Sequence, residues 1–511
     1  MPRFTFDNTY ARALPGTYVF WKPTVVPAPR MLFFNTPLAE RLGLELELDS
    51  AGLSGTAGAA DAALFAGNVL PEGAEPLAQA YAGHQFGGFS PQLGDGRALL
   101  LGEVIDKSGQ RRDIAFKGSG RTPFSRGGDG KAAVGPMLRE VLIGEAMQAL
   151  GIPTTQALAV VATGEAVYRD AATLPGAVLT RVAASHLRVG TFQYFAARGE
   201  LEQLHQLTEY AIARHAPELV GTPERHVALL RFVAVRQARL IAQWMNVGFI
   251  HGVMNTDNMT ISGETIDYGP CAFMEAYDPA TVFSSIDHGG RYAYANQPLI
   301  ARWNLARLAE TLLPLMANGD DASQADAVNE AAAQVTQVID EFPALYAAEL
   351  LKGQRAKLGL LPNGPGSDDA TLVADWLALL QQHRVDFTLA WRRLCDAAEG
   401  DANPLRALFA EPGAVNPWLA RWQVRCARED TADDAKFDRA ARMRAVNPWV
   451  IPRNHRVEEA LSAASEGDDL TSFERLLSVL RRPFDENPDA ARYADPAPAQ
   501  ITAAYQTFCG T

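Results

Sequence analysis

Glycine and basic residues are concentrated in one stretch of the chain, and this stretch limits what the chain can fold into. Twelve of the 42 glycines lie between Gly83 and Gly130. Such density indicates backbone that turns tightly or approaches another group closely. From Arg97 to Arg139 there are nine Lys or Arg residues against four Asp or Glu residues. Glycine with positive charge suits phosphate binding, although a set of β-hairpins with solvated charges would show the same pattern.

The spacing of apolar residues predicts a sheet-rich first part and a helix-rich second part. Strands are predicted over 98–105, 112–117 and 177–182, with a hairpin around Gly164 over 157–169 and a short hairpin over 259–266. Helices are predicted over 136–150, 226–247, 324–356 and 370–395. This order is typical of an α+β protein with two lobes and a cleft between them.

The composition excludes several classes of protein. The net charge of −13 argues against general nucleic-acid binding, which needs a basic surface. No apolar run approaches the roughly 18 residues of a membrane helix, and the first residues lack the layout of a signal peptide. Four scattered cysteines suit neither a disulfide framework nor a zinc site. We therefore expect a soluble, cytoplasmic protein without membrane or nucleic-acid partners, and a monomer.

The phosphate-binding loop of P-loop proteins is excluded. Around Gly130 and Lys131 that motif requires a glycine five residues earlier and Ser or Thr directly after the lysine. Ser125 and Ala132 occupy those positions.

The elements of a protein kinase, by contrast, occur in the expected order. Gly94 and Gly96 precede a predicted strand, Lys117 ends the next strand, and Glu140 lies on the following helix. A strand lysine paired with a helix glutamate is fixed in place to contact phosphate oxygens. The stronger signal is the segment HGVMNTDN (251–258), followed nine residues later by Asp267.

The short hairpin predicted over 259–266 would bring Asn258 and Asp267 together. Their oxygens are hard ligands suited to Mg²⁺ or Mn²⁺, although Asn and Asp are also common in plain surface turns. Val253 occupies the position of the kinase catalytic aspartate, and valine cannot accept a proton. Asp257 is the nearest carboxylate that could do so; its alternative role is capping or a supporting hydrogen bond.

Four long motifs give the chain a resemblance to a known family. They are YAGHQFG (81–87), QLGDGR (92–97), KGSGRTPFSR (117–126) and HGVMNTDN (251–258). With these motifs the chain resembles the selenoprotein O family of pseudokinase-fold protein adenylyltransferases, over most of its length. The resemblance implies a protein-kinase-like fold that binds ATP in a flipped orientation. It also implies transfer of AMP to Ser, Thr or Tyr hydroxyls of proteins. The enzyme itself is one candidate substrate.

The resemblance also implies roles for individual residues. Asp257 is the implied catalytic base, and Asn258 and Asp267 the metal ligands for Mg²⁺ or Mn²⁺. Arg181 and Arg188 would hold the terminal phosphates of ATP, and we add Lys131 as a further candidate. The other implied nucleotide-site residues are Gly94, Gly96, Arg97, Lys117, Asp129, Gly130 and Glu140.

On this basis we predict four parts of the chain. Residues 1–80 form an N-terminal extension packing on the kinase-like core, and 81–184 form the sheet-rich N-lobe with the glycine-rich region. Residues 185–400 form the helical C-lobe with the catalytic and metal-binding loops, and 401–511 form a C-terminal extension with a redox tail. The resemblance suggests that Cys271 and Cys509 form a regulatory disulfide; two unrelated thiols are the alternative.

Three other functions stay open at this point. A transferase using UTP with Mn²⁺ would need the same phosphate and metal residues. A true kinase is disfavoured by Val253. An inactive nucleotide-binding scaffold is disfavoured because it has no need of the pair Asn258 and Asp267.

Overall fold

The computed structural model describes residues 4–44, 59–169, 172–317, 324–361, 368–430 and 435–508. Within these ranges the protein is a mixed α/β molecule whose main sheet precedes most of its helices. The strands are β1 (Tyr18–Phe20), β2 (Arg30–Phe34), β3 (Leu77–Gln79), β4 (Gly83–Gln85), β5 (Gly88–Ser90), β6 (Ala98–Ile105), β7 (Arg111–Lys117), β8 (Ala132–Ala133), β9 (Gln156–Arg169), β10 (Ala172–Ala183), β11 (Phe249–Ile250) and β12 (Ala272–Phe273).

The helices follow the same numbering by chain order. They are α1 (Thr9–Ala13), α2 (Thr36–Arg41), α3 (Ala59–Phe65), α4 (Val134–Ala149), α5 (Val189–Ala196), α6 (Leu201–His215), α7 (Arg225–Val247), α8 (Gln297–Met316), α9 (Gln324–Lys357), α10 (Asp369–His383), α11 (Phe387–Glu399), α12 (Asn403–Arg406), α13 (Asn416–Ala427), α14 (Ala435–Arg444), α15 (Asn454–Glu466), α16 (Thr471–Leu480), α17 (Ala491–Ala494) and α18 (Ala499–Ala504). No helix in the described part of the chain has the length and apolar character needed to cross a membrane.

The main sheet is antiparallel and has the strand order β1-β3-β6-β7-β10-β9-β2, with β8 added beside β10. The predicted strands over 98–105 and 112–117 are confirmed as β6 and β7, and the strand over 177–182 lies within β10. Three strands, β1 to β3, come from the first 80 residues. The predicted domain boundaries stay predictions.

The hairpin predicted around Gly164 is wrong, because β9 runs through that position without turning. Ala162 pairs with Ala177 and Ala166 pairs with Pro175, so three residues of β9 oppose one residue of β10. This is a bulge, and Gly164 adopts a φ of +74° in it. Gly164, which the sequence pattern placed in a turn, therefore forms a bulge that bends a long strand.

Successive side chains of β7 point to opposite faces of the sheet. Ile114 and Phe116 pack in an apolar cluster with residues of α2 and α3. Lys117 and Asp113 point to the opposite face, where the functional groups described below lie. Helix α4 packs against β9 and β10, and α15 and α16 pack against α4 in a second apolar cluster.

The helical part is built around α7, α8 and α9, which pack against one another. The prediction of a helix over 226–247 is confirmed, and α7 ends at Gly248, whose φ of +74° closes the last turn. The single helix predicted over 370–395 is wrong. Arg384 adopts a φ of +50°, and Asp386 caps a new helix by accepting a hydrogen bond from Leu389 N at 2.7 Å.

The hairpin predicted over 259–266 is also wrong in its pairing. The turn at Gly263 is present, but the two arms form β-bridges with other segments. Thr260 bridges Arg188, and Thr265 bridges Thr154. The segment that joins Asn258 to Asp267 is thus fastened on both sides to the body of the protein.

Candidate active site

A cavity of about 740 Å³ opens between one face of the sheet and the loop that follows α7. Eight Lys or Arg side chains and five Asp or Glu side chains line it, in a chain of net charge −13. The cavity therefore has the local positive charge that the sequence indicated. It brings together all the predicted catalytic, nucleotide and metal residues, namely Gly94, Gly96, Arg97, Lys117, Asp129, Gly130, Lys131, Glu140, Arg181, Arg188, Asp257, Asn258 and Asp267.

Strand register places two cations side by side in this cavity. Lys117 of β7 lies opposite Leu179 of β10, and Arg181 lies two residues farther along β10. Residues two apart on a strand share a face, so Lys117 and Arg181 point to the same side of the sheet. Both reach one carboxylate oxygen, Asp267 Oδ1, at 2.8 Å from Lys117 Nζ and 2.7 Å from Arg181 Nη1.

Lys117 also forms the ion pair with Glu140 of α4 that the kinase-like pattern predicts. Both side chains are buried, and α4 is held against the sheet by Leu138, Val141 and Leu142. The ammonium group is therefore fixed between a carboxylate from a helix and one from a loop.

Asp267 is held in its charged form by these neighbours. Burial alone would raise its pKa, but the charges of Lys117, Arg181 and Arg188 outweigh burial and hold the pKa well below the ordinary value. Its backbone has a φ of +63°, unusual for a residue other than glycine. Such strain at a lining residue is typical of functional sites.

His251 holds the loop in this shape. Its Nε2–H donates to the carbonyl oxygen of Ile266 at 2.9 Å, directly before Asp267. Its Nδ1 accepts from Val253 N at 3.4 Å, and the ring is buried. His251 thus connects the start of the loop to Asp267 and supports the site without lining the cavity.

Asn258 and Asp267 have a donor set that fits a divalent cation. Asn258 Nδ2 donates to Val253 O at 3.0 Å, which leaves Oδ1 as the ligand atom of the amide. Asp267 uses Oδ1 for both cationic partners, so Oδ2 remains for another ligand. Two hard oxygens on one cavity wall suit Mg²⁺ or Mn²⁺.

A buried chain of polar groups supports Arg181 from behind. Arg181 Nε donates to His186 Nε2 at 3.2 Å, so the imidazole proton is on Nδ1, which donates to Asp113 Oδ2 at 3.0 Å. Burial lowers the pKa of His186 to about 4, which keeps the ring neutral. Asp113 in turn pairs with Arg214 at 2.5 Å.

Arg188 is held by a different set of contacts. It is buried at the start of α5, and its Nη1 donates to the carbonyl oxygen of Asp257 at 3.1 Å. Its guanidinium lies over the Tyr81 ring, 4.4 Å from the centroid. None of these partners is a carboxylate, so the charge of Arg188 is available to an anion in the cavity.

Asp257 has one oxygen bound and one free. Gln85 Nε2 donates to Oδ2 at 3.1 Å, whereas the buried Oδ1 has no partner among the described residues. Burial raises the pKa of Asp257 to about 6, although Gln85 and Arg188 oppose this rise. A carboxylate with a pKa near neutrality and a free oxygen is suited to accept a proton.

The glycines of the cavity have packing reasons as well. A Cβ atom added at Gly94 would lie 2.4 Å from the Phe124 ring, and one at Gly130 would lie 2.1 Å from Gly120 O. The loops before β6 and after β7 therefore touch each other closely. Arg97 lines the cavity beside them.

Two predicted nucleotide residues are engaged with other side chains. The Asp129 carboxylate forms a two-pronged pair with Arg169 at 2.8 and 2.9 Å, and Arg169 lowers its pKa. Lys131 Nζ pairs with Glu165 at 3.0 Å. Both residues line the cavity, but they tie its wall to β9 rather than presenting free charge.

Several lining residues were missed by the sequence analysis. They are Gln85, Asp95 and Arg169; Gln85 and Arg169 bind carboxylates 172 and 40 positions away in the chain, whereas Asp95 lies inside the motif QLGDGR (92–97) and could have been chosen. Asp95 accepts from Gln79 N at 3.0 Å, and burial raises its pKa to about 6. For Gln85 a signal was available as well, because it lies inside the motif YAGHQFG (81–87).

Cys271 directly follows Pro270, which lines the cavity, and its side chain is fully buried. Burial raises the pKa of its thiol to about 12. The C-terminal segment passes close by, since Thr507 Oγ1 donates to Pro270 O at 2.7 Å. Cys509 lies outside the described residues.

The chain is similar over nearly its whole length to proteins named as protein nucleotidyltransferases. The chain is 59% identical over 499 residues to Protein nucleotidyltransferase YdiU of Chromobacterium violaceum, covering 98% of this chain and 100% of the relative. It is 58% identical over 509 residues to the protein of that name from Cereibacter sphaeroides (99% and 100% covered) and 55% identical over 514 residues to that of Rhizobium meliloti (100% of both).

These matches place the chain among the protein nucleotidyltransferases. The family model described as Protein adenylyltransferase SelO matches residues 4–481. The chain therefore belongs to the SelO family, and the resemblance drawn from its motifs is confirmed.

Proposed function

We propose that this protein transfers AMP from ATP to Ser, Thr or Tyr hydroxyls of proteins, including its own. The observation that carries this proposal is the pair of buried arginines, Arg181 and Arg188, on the cavity wall beside Lys117. Arginine offers a planar, permanently charged fork that matches phosphate oxygens. Three fixed cations can hold the two terminal phosphates of ATP, which are the more highly charged end of the triphosphate.

In this orientation the α-phosphorus is the electrophile presented to the protein substrate. Asp257 Oδ1 takes the proton of the incoming hydroxyl, and the hydroxyl oxygen forms a bond to the α-phosphorus. The bond from the α-phosphorus to the bridging oxygen breaks, and diphosphate leaves with its charge already paired by arginine. A well-placed arginine is worth about 10³–10⁵ in rate in related phosphoryl transfer.

Asn258 and Asp267 are the residues that would hold Mg²⁺ or Mn²⁺, which when bound offsets negative charge on the phosphate oxygens. Asp267 also keeps Lys117 and Arg181 in position, because both cations contact its Oδ1. Val253 lines the same cavity and offers no proton acceptor, which favours Asp257 as the base.

We further propose that the fold is protein-kinase-like, with a sheet-rich and a helical lobe. The ion pair between β7 and α4 and the position of Asp267 after the loop of His251 support this arrangement. A crystal structure in which helices α7 to α9 pack on the main sheet without an intervening cleft would contradict it.

The donor nucleotide is tested with labelled substrates. The protein is incubated with α-labelled ATP, γ-labelled ATP and α-labelled UTP, each with Mg²⁺ or Mn²⁺, and then analysed by gel and intact mass. We expect α-label from ATP to be incorporated and γ-label to be absent. Asp257→Asn is the matched control and should incorporate at least about 100-fold less label.

The other outcomes each identify a rival. Incorporation from UTP alone would establish a uridylyltransferase, which the relatives' printed name, nucleotidyltransferase, also covers. Incorporation of γ-label would establish a kinase. Nucleotide binding without incorporation into any protein of a cell extract would establish a scaffold.

We also propose that Cys271 and Cys509 form a disulfide under oxidising conditions. Peroxide would be reduced to water as the two thiols are oxidised. The described chain supports this pairing on one side: Thr507, two residues before Cys509 in the sequence, donates a hydrogen bond from its hydroxyl to the carbonyl oxygen of Pro270, the residue before Cys271. Non-reducing peptide mapping after peroxide treatment should detect the linked peptide, and its absence would contradict this pairing.

A further inference from the structure

Three side chains that commonly bind metals converge on the helical part, away from the cavity. His205 and Glu209 are four residues apart on α6, so they lie on the same face of the helix. His226 lies in the first turn of α7 and is buried. None of the three lines the cavity described above.

The ligand atoms of the three side chains are close enough to one another to share one metal ion. His226 Nε2 lies 3.1 Å from Glu209 Oε1, and His205 Nε2 lies 3.7 Å from the same oxygen. All three ligand atoms are within 4.8 Å of one another. In a tetrahedral zinc site with bonds of about 2.0–2.1 Å, neighbouring ligand atoms are about 3.3 Å apart. The two distances to Glu209 Oε1 lie on either side of that value.

Arg225 gives these residues a second interpretation. Its Nε donates to Glu209 Oε1 at 2.6 Å, so the carboxylate already has a cationic partner. A guanidinium and a metal ion would compete for this oxygen. This competition allows a test. If the three side chains bind a metal ion, removing Arg225 should strengthen metal binding; if Glu209 serves only as a partner of Arg225, it should not.

We propose that His205, Glu209 and His226 form a binding site for a borderline-soft divalent cation of the Zn²⁺ type. Two imidazoles and one carboxylate leave one position for water, and this ligand set disfavours Mg²⁺ and Ca²⁺. Glu209 and His226 are 17 positions apart in the chain and belong to different helices. A bound ion therefore fastens α6 to the beginning of α7.

The site is tested with Co²⁺ as a spectroscopic probe, in the full-length protein with excess Mg²⁺ to occupy the oxygen ligands of the cavity. Wild type should show the visible absorption of four-coordinate Co²⁺, and Zn²⁺ should displace it. Loss of a supporting partner of a metal site already costs about 10–100-fold in affinity. His205→Ala and His226→Ala each remove a ligand and should weaken binding at least about 100-fold.

His205 is about half exposed, so its substitution leaves the fold intact. His288→Ala, at an exposed histidine, is the matched control and should bind Co²⁺ like wild type. Arg225→Gln should bind Co²⁺ more tightly, because it removes the competing cation. Binding by both histidine variants within a few-fold of wild type, or weaker binding by Arg225→Gln, would overturn the assignment.

Discussion

The hydrogen bond from Gln85 to Asp257 makes a quantitative prediction about the pH dependence of transfer. Burial raises the pKa of Asp257 to about 6, and Gln85 opposes this rise by stabilising the charged carboxylate. Under the proposed function Asp257 accepts the proton of the substrate and must be deprotonated to do so, so activity should fall as the pH decreases through about 6. Gln85→Leu removes the donor at similar volume, so the pKa should rise and the fall in activity should begin at higher pH.

The size of the shift follows from the contact. A hydrogen bond to a charged group contributes about 1.5–3 kcal/mol, and the 3.1 Å distance favours the lower end. Since one pKa unit corresponds to about 1.4 kcal/mol, the pKa of Asp257 should move from about 6 to about 7. The deprotonated fraction at pH 6 then falls from about one half to about one tenth, while at pH 8 both proteins are about nine-tenths or more deprotonated.

The measurement is kcat/KM for label transfer from pH 5 to pH 9 at constant ionic strength. This parameter reports the pKa of the free enzyme, and the titration of ATP itself cancels between variants. We expect Gln85→Leu to be about fivefold less active than wild type at pH 6 and nearly equal at pH 8. Gln92→Leu, at an exposed glutamine nearby, should keep the wild-type profile. A Gln85→Leu profile that is lowered equally at every pH would refute the reasoning.

Three further substitutions test neighbouring parts of the site. Asp257→Asn should reduce transfer at least about 100-fold. Folding raises the pKa of Asp257 from 3.8 to about 6, so ionisation of this carboxyl group destabilises the folded state as the pH rises from about 4 to about 6, by at most about 3 kcal/mol. Asn carries no such charge. The free energy of unfolding of Asp257→Asn at pH 7, measured with urea, should therefore be no lower than that of wild type. In Gly83→Ala the new Cβ would lie 2.5 Å from Asp257 Oδ1 and displace this oxygen. We expect kcat/KM to fall at least about tenfold with little change in the thermal midpoint of unfolding. Wild-type activity would contradict the placement of this oxygen. Asp267→Asn should lose metal-dependent nucleotide binding in calorimetry, and unaltered affinity would contradict the proposal that Asp267 is a metal ligand.

Elements with a strong local pattern were predictable from the sequence. The apolar periodicity of α7 and the glycine after it determine both the helix and its end. The errors arose where one residue type has two structural uses. Gly164 could end a strand or form a bulge within it, and only the partner strand β10 decides between them. Asp386 could continue a helix or cap a new one, and the φ of Arg384 decides.

The residues of the site were predictable as a set but not in their contacts. Asn258 and Asp267 are close in sequence, so their spacing is visible. Gln85 and Asp257 are 172 positions apart, and nothing in either segment indicates which carboxylate oxygen is bound. The pKa of Asp257 depends on burial by distant segments, which no local pattern encodes. The raised pKa of this carboxyl group therefore could not be predicted from the sequence.

The buried polar chain from Arg214 through Asp113 and His186 to Arg181 is difficult to explain by stability alone. Buried ion pairs are often no more stabilising than apolar side chains of similar volume, because each charge loses its hydration. What the chain does provide is a guanidinium held in place before any anion enters the cavity. Preorganised charge needs no rearrangement when negative charge moves onto the leaving group. Under the proposed function, this group is the diphosphate, and the fixed position of Arg181 explains why the opposite end of the triphosphate would be the one that reacts.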